Sequence, residues 1–189
     1  IEVLMDAGEF TPRAYRGEIN MVISEYVGLT LLPPLTARLQ SIAPRLRLRT
    51  ITRIEGQLER LANGELDFAI QLARKHYPPE YRHQPLGASP LAIFVRRGHP
   101  MIGQPLTREL LVQYPEISLY VSDRGDIELP MPPVAEGLNR ETGVLETSHL
   151  LTALEVLRET DYTLIRPEHL ARNEGATRDV VPLALPPDE

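Results

Sequence analysis

Between Ile19 and Leu72 the apolar residues switch back and forth between the period of a strand and the period of a helix, and few folds accept that order. Ile19–Ile23 is a short run rich in β-branched residues, a strand candidate. Leu32, Leu35, Leu39 and Ile42 then recur in steps of three and four and lay one apolar stripe on a helix. Ser24 stands where that helix needs an N-cap, with a hydroxyl able to accept from a free backbone N–H. Pro33 and Pro34 are costly inside a helix, so they are expected to open a second helical segment, which Pro44 ends. Leu46–Ile51 alternates with Arg and Thr as a strand does. Glu55–Ala62 returns to the helical period, and Asn63-Gly64 supplies the stop. Leu66–Leu72 alternates again, with Leu66, Phe68 and Ile70 on one face and Asp67, Ala69 and Gln71 on the other. Strand, helix, strand, helix, strand is the pattern of a parallel sheet with crossover helices.

A second α/β run begins near residue 91. Leu91–Val95 is a continuous apolar stretch and reads as a buried strand, broken by Gly98-His99-Pro100. Thr107 can cap a short helix reaching Tyr114, and Ile117–Val121 is a strand candidate. Ser122–Pro133 reads as a polar loop, Val134–Arg140 as a short helix and Gly143–Glu146 as a short strand. Thr147 and Ser148, the latter a plausible N-cap, precede the helix His149–Glu159, which carries Leu150, Leu151, Leu154 and Leu157. Tyr162–Ile165 and Val180–Leu185 are strands, with a short helix from Pro167 to Arg172 between them. The two runs share an order of elements, which suggests two similar subdomains facing each other across a cleft.

Composition narrows the function classes. The formal charge is −6 and aromatics make up 5% with no Trp, the opposite of a basic or base-stacking nucleic-acid surface. Arg45, Arg47 and Arg49 alternate with Leu46 and Leu48, as the solvent face of a strand does. The chain has no Cys, which removes disulfides, Cys-ligated zinc and thiol catalysis and fits a reducing compartment. No apolar stretch approaches a membrane span. GxGxxG, Walker A and GxSxG patterns are absent. His76, His83, His99, His149 and His169 are scattered, with no HExxH spacing, and no carboxylate pair stands out. No cofactor, metal or catalytic residue is expected, and the chain is not read as an enzyme.

Five segments, in order, resemble the effector-binding domain of LysR-type transcriptional regulators. They are Ile19–Tyr26 with its Ser-Glu after a strand; Leu31-Leu-Pro33 with Ala43-Pro44; Leu61-Ala-Asn-Gly-Glu-Leu-Asp-Phe-Ala-Ile70; Phe94-Val-Arg-Arg-Gly-His-Pro100; and Thr160–Pro167 with His169-Leu-Ala171. Together they span roughly residues 10–187. Phe10-Thr-Pro12 and Ser24-Glu25-Tyr26 look most like the branch that regulates aromatic-compound degradation and nodulation. Two features depart from the family pattern: Arg166 stands where Leu is usual, and 123–133 is acidic and Pro-rich.

The resemblance implies an α/β fold of two Rossmann-like subdomains joined by two crossover strands, similar to type II periplasmic binding proteins. Residues 1–16 would be an incoming linker, with Ile1–Phe10 as the end of the family's linker helix. Residues 17–90 and 167–189 would form subdomain I, and 91–166 subdomain II. It further implies a cytoplasmic homodimer or homotetramer that meets DNA only through an N-terminal helix-turn-helix not contained in this sequence. A small-molecule effector, a carboxylate or an aromatic compound, would bind between the subdomains. In open α/β sheets ligands lie beyond the carboxyl ends of the strands, where helix N-termini favour anions and polar oxygens. The candidates at such positions are Ser24, Glu25, Thr50, Thr52, Gln71, Thr147, Ser148, His149 and Arg166. Arg166 could clamp a carboxylate or pair with a surface acid, whereas Glu25 would oppose an anion. The amphipathic stretches at 31–42 and 149–158 could serve a dimer. A periplasmic-type solute-binding receptor is the alternative reading.

Overall fold

The computed structural model describes residues 10–52, 56–71, 73, 76–119 and 145–185. Its contacts cluster into two compact units, Ile1–Ile70 and Gln71–Glu189. The helix expected at Val134–Arg140, the loop at Ser122–Pro133 and the Ile1–Phe10 linker (Phe10 apart) lie outside the described residues.

In the first unit the alternating segments become strands β1 (Glu18–Ile23), β2 (Arg47–Ile51) and β3 (Phe68–Ile70). They form a parallel sheet in the order β2-β1-β3. Val22 pairs with Ile51 and Ala69, and Ile23 with Ile70. Parallel neighbours need crossovers, supplied by helices α1 (Glu25–Ile42) and α2 (Gln57–Ala62). Met21, Val22 and Ile23 are buried because β1 is the central strand. Arg47 and Arg49 face solvent on the edge strand β2, as their alternation requires, and Arg47 lies 3.6 Å from Glu18. Asp67 sets the start of β3 by exchanging two bonds with Asn20: its N–H donates to the Asn20 carbonyl at 2.9 Å, and its carboxylate accepts from the Asn20 N–H at 2.7 Å. Gly64 at φ 72° ends the α2 turn as the Asn-Gly pair predicts.

One expectation fails here. Pro33 and Pro34 do not open a second helix; they lie inside α1, which runs unbroken from Glu25 to Ile42. Each proline removes one N–H from the ladder, but the two missing donors are consecutive and weaken a single turn. The ladder closes on both sides, with Gly28 N–H to the Ser24 carbonyl at 2.8 Å and Ala43 N–H to the Leu39 carbonyl at 2.7 Å. Thr36 Oγ1 adds bonds to the Leu32 and Pro33 carbonyls at 2.8 and 3.0 Å.

The second unit is built around β4 (Leu91–Arg96), the centre of an antiparallel sheet with β7 (Leu164–Pro167) and β8 (Val180–Ala184) on either side. Its unbroken apolar run is explained by burial on both faces. Ile93 and Val95 join Met101, Leu111 and Ile165 in one core cluster, and Phe94 is 0% exposed. Helix α4 (Leu150–Glu159) packs on β4 through an apolar side made of Leu150, Ala153, Leu154 and Leu157. Between them come the short helix α3 (Arg108–Leu111) and the parallel pair β5 (Ile117–Leu119) and β6 (Leu145–Thr147). The Thr107 cap is formed, its Oγ1 accepting from Leu110 N–H at 3.3 Å. β8 pairs with β4 along Ala92–Arg96, and the contacts divide after Ile70.

The Gly98-His99-Pro100 break is an anchored turn. Gly98 takes φ 87°, which a side chain would strain. His99 is 2% exposed. Its Nδ1 accepts from Met101 N–H at 3.1 Å, so the proton sits on Nε2, which donates to the Asp161 carbonyl at 3.1 Å. Arg96 in turn donates to the Asp161 carboxylate at 2.8 Å, so the segment before the turn and the segment after α4 are held at one residue.

Candidate functional site

A parallel sheet carries its free carboxyl edge where the chain leaves each strand for the next helix. In the first unit that edge is short and its residues are fixed by register. Ser24 follows Ile23, which is paired with Ile70, the last residue of this unit; Gln71 comes next in the chain and opens the second unit. Thr52 follows Ile51 at the end of β2 and is exposed; Thr50, inside β2 and paired with Met21, is one step back from the edge and also exposed. Glu25 is the acidic residue of the first turn of α1.

Ser24 occupies the N-cap position of α1, as expected, but its side chain makes no cap bond. Its Oγ is buried without a hydrogen-bond partner, and so is Gln71 Oε1. A capping serine ordinarily satisfies one of the helix's orphan donors, so the sequence account of Ser24 as a plain cap is incomplete. A third atom of the same kind is Gln57 Oε1, at the first residue of α2, whose helix packs on β3. Gln57 was not among the sequence candidates. It follows no strand directly and looks like an ordinary helix-surface residue; the only available signal was its place at the start of the helix after β2. Buried polar atoms are nearly always paired, and Ser24 Oγ, Gln71 Oε1 and Gln57 Oε1 depart from that rule.

In the second unit the candidates fall at the end of the β5–β6 pair. Leu119 pairs with Thr147. Thr147 Oγ1 accepts from His149 N–H at 3.2 Å, and His149 rather than Ser148 takes the N-cap position of α4, with no side-chain cap bond. The expected Ser148 cap is therefore displaced by one residue, because the Thr147 hydroxyl holds the turn that precedes the helix. Ser148 is half-buried and His149 exposed. Arg166 is not a surface residue: it is 7% exposed in β7. Its guanidinium donates to the Ile165 carbonyl at 2.6 Å and to the Leu119 carbonyl at 2.9 Å, tying β7 to the end of β5. Arg166 is thus tied to backbone from a buried position. Nearby, His169 donates its backbone N–H elsewhere, to Ser89 Oγ at 3.0 Å. Burial holds its imidazole below the ordinary pKa of 6.5, and the charge of Arg172 adds in the same direction.

Among the described residues no group of three or more His, Cys, Asp or Glu is placed to hold a metal ion, and no helix is long and apolar enough to cross a membrane. The edge groups are hydroxyls and amides, which recognise by hydrogen bonding and do not by themselves make a nucleophile–base pair.

Comparison with known proteins matches residues 12–189 to the family described as the LysR substrate binding domain. A curated relative, the HTH-type transcriptional regulator SyrM 2 of Sinorhizobium fredii, is 31% identical over 94% of this chain and 51% of its own length. Among solved structures, a probable transcriptional regulator from Pseudomonas aeruginosa superposes with a TM-score of 0.77 at 28% identity, over 95% of this chain and 60% of that one. The regulatory domain of MexT, a transcriptional activator of the same organism, gives 0.66 at 22% identity, over 93% and 84%. The chain thus spans about half the length of the curated relative. The fold class is the expected one, α/β with two subdomains and crossover strands on the plan of type II periplasmic binding proteins. The matched family is defined by binding and not by catalysis, and the chain is not an enzyme. From its match over residues 12–189, the chain belongs to the LysR substrate-binding domain family.

Proposed function

We propose that this domain is the small-molecule sensor of a LysR-type transcriptional regulator and that its effector is taken at the carboxyl ends of the parallel strands. The observation that carries this reading is the pair of buried, unpartnered atoms on adjacent strand ends, Ser24 Oγ and Gln71 Oε1. Glu25, Thr50 and Thr52 stand beside them on the first unit; Thr147, Ser148, His149 and Arg166 are the corresponding candidates of the second. The family plan supports 17–90 with 167–189 as subdomain I and 91–166 as subdomain II. The working form is a cytoplasmic homodimer or homotetramer that contacts DNA through a separate helix-turn-helix. Effector binding acts by population shift, and it can move the equilibrium only by its differential affinity for the two states. Phe10-Thr-Pro12 and Ser24-Glu25-Tyr26 support the aromatic-degradation and nodulation branch. The family match disfavours the solute-receptor alternative.

The test is a thermal-shift screen of small aromatic and aliphatic compounds, with each hit titrated against Ser24→Ala and Thr52→Ala. Loss of one neutral hydrogen bond of about 1 kcal/mol weakens binding by roughly fivefold. Hits whose affinity is unchanged in both variants sink this placement of the site.

A further inference from the structure

The chain enters the first unit through a segment that is folded without a core. No residue of the single 3-10 turn Pro12–Ala14 is buried, and Phe10 and Tyr15 are 71% and 40% exposed. We propose that residues 10–17 are a ring-over-glycine clasp, a stiff joint that sets the direction in which the chain enters the sheet, and not a flexible linker. Its regulatory meaning rests on the sensor reading above, in which a part upstream of the sensor carries the DNA contacts; its geometry does not.

Pro12 opens the turn with its φ already fixed. Ala14 N–H donates to the Thr11 carbonyl at 3.0 Å, and Tyr15 N–H to the Pro12 carbonyl at 3.2 Å. The Phe10 and Tyr15 rings meet edge to face across this turn, with centroids 5.6 Å apart, an arrangement that ring quadrupoles favour. The Tyr15 ring in turn lies on residue 17. A β-carbon at Gly17 would stand 2.0 Å from the Tyr15 hydroxyl oxygen and 2.1 Å from the ring carbon that bears it. Gly17 is not among the glycines with positive φ, so its backbone does not need glycine; the ring does. The inner end of the clasp is fastened to the sheet. The Gly17 carbonyl accepts from Arg47 N–H at 3.0 Å, and Glu18, the next residue, pairs with Arg47 in the β1–β2 register and lies 3.6 Å from its guanidinium. From there β1 runs directly to Ser24, so the clasp and the candidate effector edge stand at opposite ends of one six-residue strand. A segment with no buried residue ordinarily frays; a ring contact too close to admit one methyl group gives this segment a defined shape.

The experiment uses the 189-residue chain and needs no ligand, so its failure leaves the sensor reading standing. The unchanged sequence, Gly17→Ala, Tyr15→Ala and Tyr15→Phe are treated with trypsin, and initial cleavage after Arg13, Arg16 and Arg82 is followed by mass spectrometry. Arg13 and Arg16 lie in the clasp; Arg82, exposed in the irregular stretch 76–90, is the reference. Gly17→Ala drives the ring off, and Tyr15→Ala deletes it. The expected result in both is cleavage after Arg13 and Arg16 that is faster by roughly tenfold or more, because proteolysis tracks the population of the open segment, with cleavage after Arg82 unchanged. Tyr15→Phe keeps the ring and stays within about twofold of the unchanged sequence. Equal rates after Arg16 in all four chains show that no clasp closes over that bond and overturn the proposal. Acceleration at Arg82 in step with Arg13 and Arg16 shows a general loosening of the fold and overturns it as well. Tyr15→Phe behaving as Tyr15→Ala places the hold on the hydroxyl, and ring packing is then refuted as the clasp.

Discussion

Arg166 has two possible jobs, and they predict opposite signs for one substitution. Arg166→Met keeps most of the apolar stem and removes the guanidinium that donates to the Ile165 and Leu119 carbonyls at 2.6 and 2.9 Å. Hydrogen bonds from a charged group contribute about 1.5–3 kcal/mol each. Taking the lower figure for both, because backbone can relax toward other donors, the unliganded chain loses about 3 kcal/mol. For a protein of this size that is a fall of roughly 6–12 °C in melting midpoint. A guanidinium held in place only to meet an anion behaves differently: exchanging a buried charge for an apolar group of similar shape is often neutral or stabilising. Urea unfolding followed by circular dichroism separates the two, with the midpoint concentration falling at unchanged slope if the tie is structural. An Arg166→Met midpoint equal to or above that of the unchanged chain would refute the structural tie between β7 and β5.

Two further outcomes follow from burial. Ile93→Ala in the central strand should cost about 2–5 kcal/mol, because Ile93 is fully enclosed by its cluster. Phe68→Ala, at a residue 54% exposed, should stay within about 0.5 kcal/mol; equal losses in the same urea titration would contradict the assignment of the core. His169 gives the pH signature. Its imidazole titrates below 6.5 when folded, so the unfolded chain binds the proton more readily. The stability tied to a neutral His169 is complete above pH ~6.5 and declines as pH falls from there through the lower folded value. His169→Asn should flatten that part of a stability-versus-pH profile, and an unchanged slope would exclude His169 as its source.

Much of the fold is written in local periodicity. The alternation at 46–51 and the steps of three and four at 32–42 correspond to β2 and α1, and Thr107 and Gly64 mark their helix ends by chemistry that acts within a few residues. The misreadings arise where distant or competing groups decide. Pro33 and Pro34 carry a local cost that an 18-residue helix absorbs in one turn. The hydroxyl of Thr147, by taking the His149 N–H, moves the start of α4 one residue past Ser148. The bond from Arg166 to the Leu119 carbonyl joins residues far apart in sequence, which no local pattern reports. The site was half legible: Ser24 and Gln71 stand at strand ends and can be found from the pattern, but their lack of partners, and the burial of Gln57 Oε1, depend on packing that no spacing rule reports.

The pairing of β4 has a consequence for how the chain is made. Ala92 takes its neighbours from Arg166 and Ala184, so the middle of the larger sheet cannot close until β8 has left the ribosome. All strand pairings of the first unit lie before residue 71 and are available while synthesis continues. The apolar run Leu91–Val95 is therefore exposed on the nascent chain for the whole interval in which residues 97–184 are added, with both of its edges open. During that interval Arg96, Arg97 and the Gly98 turn border it on one side and Pro90 on the other, charges and breakers placed where an unpaired strand is most prone to find the wrong partner.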